Sequence, residues 1–108
     1  MTVEQLCEHL SLSAISLPQP GREVTGCYSG DLLSWVMGRA QGGDVWITIM
    51  SNVNIVAVGA LADVAAILLA EGVTLDEQVI ATANAKGVNI LASEQSAYAL
   101  SVRLSTVL

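Results

Sequence analysis

The sequence predicts an α/β fold, a single three-layer domain in which a mostly parallel sheet of about four to five strands carries helices on both faces. Three observations predict it. The stretch Asp44 to Gly72, DVWITIMSNVNIVAVGALADVAAILLAEG, reads as one strand, a crossover helix and a second strand. Within it VWITI is β-branched or aromatic at every position and apolar on both faces apart from Thr48, the pattern of a strand covered on both sides. Strand-like and helix-like segments alternate along the rest of the chain, as parallel strands joined by crossovers require. At 108 residues the chain makes one domain, able to remove roughly two thirds of its unfolded surface from water.

Residues Thr2 to Leu10 predict a short amphipathic helix, with Thr2 as cap, Gln5 three positions on, and Val3, Leu6, Cys7 and Leu10 along one face. Leu12 to Leu17 alternates loosely and predicts a short edge strand, which Pro18, Pro20 and Gly21 stop. Glu23 to Ser29 is a second strand, where Gly26 marks a bulge or a close approach. Gly30 and Asp31 form a turn and helix cap. The helix that follows, Leu32 to Ala40, has Leu32, Leu33, Val36, Met37 and Ala40 at helical spacing, with Trp35 to one side; Gln41-Gly42-Gly43 ends it.

After the Asp44–Met50 strand, Ile55 to Asp63 predicts a helix capped by Asn52 or Asn54 and apolar nearly all round. Ala65 to Ala70 is the next core strand, closed by Glu71-Gly72. Asp76 to Lys86 is a helix with Val79, Ile80 and Ala83 facing in, and Gly87 is its stop. Val88 to Leu91 is a short strand, and Ser93 or Ser96 caps a last helix through Leu104.

Composition narrows the function classes. The chain is 53% hydrophobic and only 13% charged, against an average of ~25% charged for soluble domains. Too little charge to coat a monomer suggests that a subunit interface takes up the excess apolar area, so a homo-oligomer, most simply a dimer, is expected. Trp35, Met37 and Tyr98 are the interface candidates. Asp63 and the asparagines interrupt the most apolar run, Ile55 to Ala70, below the ~18 uninterrupted apolar residues of a membrane span. The N-terminus, MTVEQLCEHL, carries acids where a secretory signal has basic residues, so a cytoplasmic protein is expected. Net charge is −6, and Arg22, Arg39, Lys86 and Arg103 are scattered, which argues against nucleic-acid binding. Two cysteines and one histidine supply no metal-ligand set, and no metal is expected.

The run GCYSGDLLSWVMGRAQGGDVWITIMSNVNIVAVGALADVAAILLAEG, with the later KGVNILASEQSAYAL, resembles the DRTGG domain over about residues 22 to 105. Such domains occur as small stand-alone proteins of anaerobic bacteria and archaea, beside CBS domains in regulated pyrophosphatases, and in long phosphotransacetylases. They are also similar to the N-terminal, non-kinase domain of HPr kinase/phosphorylase. The resemblance implies this α/β fold, a tendency to dimerise, and a regulatory rather than catalytic role. The chain departs from the namesake residues. Asn52, Val53 and Asn54 stand where many members carry an acidic-basic pair, and Ala70-Glu71-Gly72 stands where a TGG follows the strand. No GxxxxGK[ST] phosphate loop is present, so a kinase name attached to such a chain would be inherited from similarity to a non-catalytic domain.

Open parallel sheets bind ligands beyond the C-terminal ends of their strands. Those ends supply the ligand-binding candidates Ser29, Gly30, Asp31, Ser51, Asn52, Asn54, Glu71, Gly72, Ser93 and Glu94, which the topology should gather on one rim. One reading is a shallow pocket for an adenine nucleotide or another small polar effector. The other is that these residues are turns and caps, which favour the same residue types. Asp31, Glu71 and Glu94 on the rim disfavour a bare phosphate. No catalytic residues are assigned, since His9, on the polar side of the first helix, has no partner nucleophile. The expectation is a non-catalytic regulatory or interaction module without a required cofactor. It self-associates and docks to a metabolic or redox enzyme, the alternative being an adenine-nucleotide sensor.

Overall fold

The computed structural model describes residues 1–108. Its elements follow one another as α1 (Val3–Leu10), β1 (Ser13–Ser16), β2 (Gly26–Ser29), α2 (Leu33–Arg39), β3 (Asp44–Thr48), α3 (Asn54–Leu61), β4 (Ala66–Leu69), α4 (Glu77–Lys86), β5 (Ile90–Ala92) and α5 (Ala97–Ser105). The strands form one sheet in the order β1-β5-β4-β3-β2, parallel throughout except that β1 runs antiparallel to β5. This is the mostly parallel α/β domain expected from the sequence.

From β2 to β5 the chain advances one strand at a time in one direction. A single crossover hand then puts α2, α3 and α4 on the same face. Side-chain alternation makes two cores from this arrangement. Val45 and Ile47 of β3, with Ala66 and Leu68 of β4, pack with Val3, Leu6, Leu10, Leu100 and Leu104 of α1 and α5. Trp46, Ile67 and Leu69 pack on the opposite side with Val36, Ile55, Val56, Val79 and Ala83 of α2, α3 and α4. All five residues of β3 and all four of β4 are buried, which is why both read as continuous apolar runs. Each fully buried large aliphatic or aromatic side chain contributes about 1.5–3 kcal/mol by leaving water. Trp46 adds a bond from its indole N–H to the Gly30 carbonyl at 2.8 Å, so burying the ring leaves no donor stranded.

The helix ends follow local chemistry. Thr2 and Gln5 form a reciprocal capping box on α1, the Gln5 N–H donating to the Thr2 hydroxyl at 3.2 Å and the Thr2 N–H to Gln5 Oε1 at 2.9 Å. Ser96, not Ser93, caps α5 through the Ala99 N–H at 3.1 Å. Gly87 closes α4 in the left-handed conformation. At Gly26 the close approach holds and no bulge occurs: an added Cβ would stand 2.6 Å from Asp44 Oδ1, while the β2–β3 register runs unbroken.

One expected cap differs, and of the two offered for α3 one is used. Asp31 does not cap α2, whose cap position is Leu32 without a side-chain bond. Its Oδ1 instead accepts from the Thr48 hydroxyl at 2.8 Å and the Ile49 N–H at 2.9 Å, tying the exit of β2 to the exit of β3. Asn54 lies inside α3 as its first residue, and Asn52 does the capping work by accepting from the Asn54 N–H at 2.9 Å.

Asn89, in the apolar run entering β5, is buried and fully bonded. Its amide donates to the Gln19 and Ala65 carbonyls at 2.7 and 3.0 Å, and its Oδ1 accepts from the Gln19 N–H at 2.9 Å. One side chain thus fastens the proline-containing connector between β1 and β2 to the sheet.

Candidate functional site

The C-terminal ends of β2, β3, β4 and β5 share one rim, as the parallel ladders require. Along that rim the connections do not all leave the same way. Those after β2, β3 and β4 lead to α2, α3 and α4 on one face, whereas β5 leads to α5 on the other. The exits of the neighbouring strands β4 and β5 therefore diverge, and open α/β sheets form their ligand crevice where adjacent connections part.

A cavity of about 250 Å³ lies at that point. Gly72, Ser93 and Glu94, three of the sequence candidates, line it. Ile15, Leu69, Leu75 and Ile80 form its aliphatic wall, and Ser13 and Thr74 add hydroxyl groups. Backbone bonds tie the two exits together beside it, from the Glu71 N–H to the Gln95 carbonyl at 2.8 Å and from the Gly72 N–H to the Ser93 carbonyl at 2.9 Å. Glu71 and Gly72 both hold positive φ, 61° and 71°, which turns the chain sharply over the end of β4. An added Cβ on Gly72 would run into Glu94 Oε2, so the Glu94 carboxylate lies directly over the bare Gly72 backbone.

The remaining candidates stay outside this cavity. Ser29 is exposed at the end of β2, Gly30 receives the Trp46 indole, and Asp31 is engaged with Thr48 and Ile49. Ser51, Asn52 and Asn54 are exposed around the start of α3, with Asn52 spent on its cap. Glu71 is exposed beside the cavity without lining it. Ser13, Ile15, Thr74, Leu75 and Ile80 were not candidates from the sequence, because only the strand order brings β1 and the start of α4 beside Ser93.

No group of three or more His, Cys, Asp or Glu side chains is placed to hold a metal ion. His9 is exposed on α1. Both cysteines are free thiols. Burial pushes Cys7 up, with Glu4 and Glu8 adding to the effect. Cys27 is pushed from 9.0 up to about 11, first by burial and then by the Asp44 carboxylate, although the residue as a whole is exposed on β2. It lines a shallow hollow between β2 and α5 with Ser101, Leu104 and Ser105.

The interface candidates are all exposed: Trp35 by 52%, Met37 by 46% and Tyr98 by 81%. Met37, on the apolar stripe of the sequence, is turned largely to solvent, because α2 buries only Val36 fully. The Arg39 guanidinium stacks 3.8 Å over the Trp35 ring. Trp35 and Met37 stand on α2 and Tyr98 on α5, which lie on opposite faces of the sheet. The edge of β2 between those faces has no partner strand.

No protein-family model matches the chain, and no curated protein matches it in sequence. Its fold is similar to that of the CBS and DRTGG domains of the regulatory region of Clostridium perfringens pyrophosphatase, in a crystal structure complexed with the activator diadenosine tetraphosphate. The TM-score is 0.71 over 93% of this chain, at 15% sequence identity, and the match spans 44% of that chain. At that identity the likeness is one of fold, and the fold is DRTGG-like. No helix is long and apolar enough to cross a membrane.

Proposed function

We propose that this is a non-catalytic regulatory module of the cytoplasm that self-associates and docks to a metabolic or redox enzyme. The observation that carries the reading is the unpaired β2 edge, which has no charged residue from Gly26 to Ser29, together with the exposed side chains of Trp35 and Met37 on α2 and Tyr98 on α5. Natural edge strands are normally blunted by charge, proline, a bulge or a cover. β1, at the other edge, has a register irregularity between Ala14 and Ser16; β2 is protected only by its shortness, four residues, and carries no charge, proline or bulge. Large apolar side chains at such an edge gain most when a second copy covers them.

Light scattering on the eluting protein tests this. A dimer mass is expected, falling to the monomer for the double variant Trp35→Glu, Met37→Glu. A wild-type monomer at tens of micromolar sinks the self-association. A dimer that ignores the double substitution moves the interface elsewhere.

A second reading is favoured by the cavity beside Gly72, Ser93 and Glu94: the rim is an effector pocket, for which an adenine nucleotide is the first ligand to try. A regulatory region of similar fold is complexed with an adenine dinucleotide activator, which supports the trial. Calorimetry with ATP, ADP, AMP and diadenosine tetraphosphate, with and without magnesium, decides the nucleotide. No heat and no melting shift for any of them removes it.

A further inference from the structure

We infer that the cavity between the β4 and β5 exits binds a small aliphatic molecule carrying one protonated amine, and that it rejects phosphate esters. This rests on the effector-pocket reading of the rim and replaces the ligand proposed there. Size comes first. The cavity offers about 250 Å³ and is open to solvent on one side, so it suits a small molecule, whereas a nucleotide would stand largely outside it. Shape and chemistry come second. The wall is built from branched aliphatic side chains, Ile15, Leu69, Leu75 and Ile80, and no aromatic ring lines it to stack a base.

Charge decides between head groups. Glu94 is the only charged residue in the lining; it is solvent-exposed, its carboxylate makes no hydrogen bond or ion pair within the protein, and no lysine or arginine joins it in the lining. Arg103 donates to Gln95 Oε1 at 3.0 Å, next in sequence to Glu94, and to the Leu10 carbonyl at 2.9 Å, and it does not line the cavity. An ammonium has three donors and no acceptor. The Glu94 carboxylate takes one as a charge-assisted bond; Thr74 lines the same space, as does Ser93, whose Oγ already accepts from the Gln95 N–H at 3.1 Å. A phosphate there would meet a carboxylate with no cation to offset it.

The test is titration of the full-length, isotope-labelled protein, followed by amide chemical shifts. The probes are 3-methylbutylamine, 3-methylbutanol and 3-methylbutanoate, three molecules of nearly one shape, with ATP as a fourth. The amine is expected to shift the amides of Gly72, Thr74, Ser93 and Glu94 and to bind about tenfold or more tighter than the alcohol, with the acid not binding. Glu94→Gln should remove that preference while leaving alcohol binding and the remaining spectrum unchanged. Glu71→Gln, on the same rim but outside the lining, should leave the preference intact; if it removes it equally, the general acidity of the rim is responsible and the inference falls. Equal binding of acid and amine, or shifts mapping elsewhere, also overturns it. ATP shifting these amides overturns the amine and keeps the effector pocket. Silence from all four probes removes both.

Discussion

Gly72 and Cys27 show how much single residues carry here. At Gly72 the positive φ and the Glu94 carboxylate both exclude a side chain, so Gly72→Ala should cost at least about 1 kcal/mol in urea unfolding. It should also displace Glu94 from the cavity. Cys27 predicts a pH dependence with a definite sign. In the unfolded chain the thiol loses its proton around 9.0, whereas the folded protein keeps it until about 11. The unfolded state alone gains from deprotonation in between, so the contribution of Cys27 to stability is complete below pH 9.0 and is lost as the pH climbs to about 11. The difference in unfolding free energy between wild type and Cys27→Ala, measured across that window, should shrink steadily with rising pH. Pulse alkylation should label Cys27 faster up to about pH 11, beyond the plateau of an ordinary thiol.

At the scale of elements, the strands and helices were legible because each expresses a local rule. β3 and β4 are buried on both sides and so lack polar alternation; α1 announces itself by the Thr2–Gln5 pair; Gly87 ends α4. The cap expected at Asp31 differs because a carboxylate beside a helix start has several backbone donors in reach, and here the exit of β3 wins; of the two asparagines offered for α3, Asn52 is the one that bonds. The rim was only half legible. Sequence places polar residues after every strand, but which exits diverge depends on strand order, and that alone singles out Gly72, Ser93 and Glu94 over Ser29, Asn52 and their neighbours. Asn89 also passed without notice, although an asparagine in the run Val88–Leu91 was the available sign. Asn89→Ala leaves the Gln19 backbone and the Ala65 carbonyl without their bonds and should cost about 2 kcal/mol, read from the urea midpoint at constant m-value.

For the whole molecule, low charge and exposed apolar side chains tie stability to association. If the native form is a dimer, its melting temperature rises with protein concentration by mass action, and the Trp35→Glu, Met37→Glu variant should show a flat dependence. Differential scanning calorimetry over a hundredfold concentration range checks this. The order of the sheet also bears on how the chain is made. β1 pairs only with β5, Ser13 with Ala92, and α1 packs in the same core as α5. During synthesis at ~5–20 residues per second, β1 waits roughly 4–15 s before its partner strand has been polymerised. β2, β3 and β4 can meanwhile pair in the order they appear. β1 is therefore the strand of this sheet that stays unpaired longest while the chain is made.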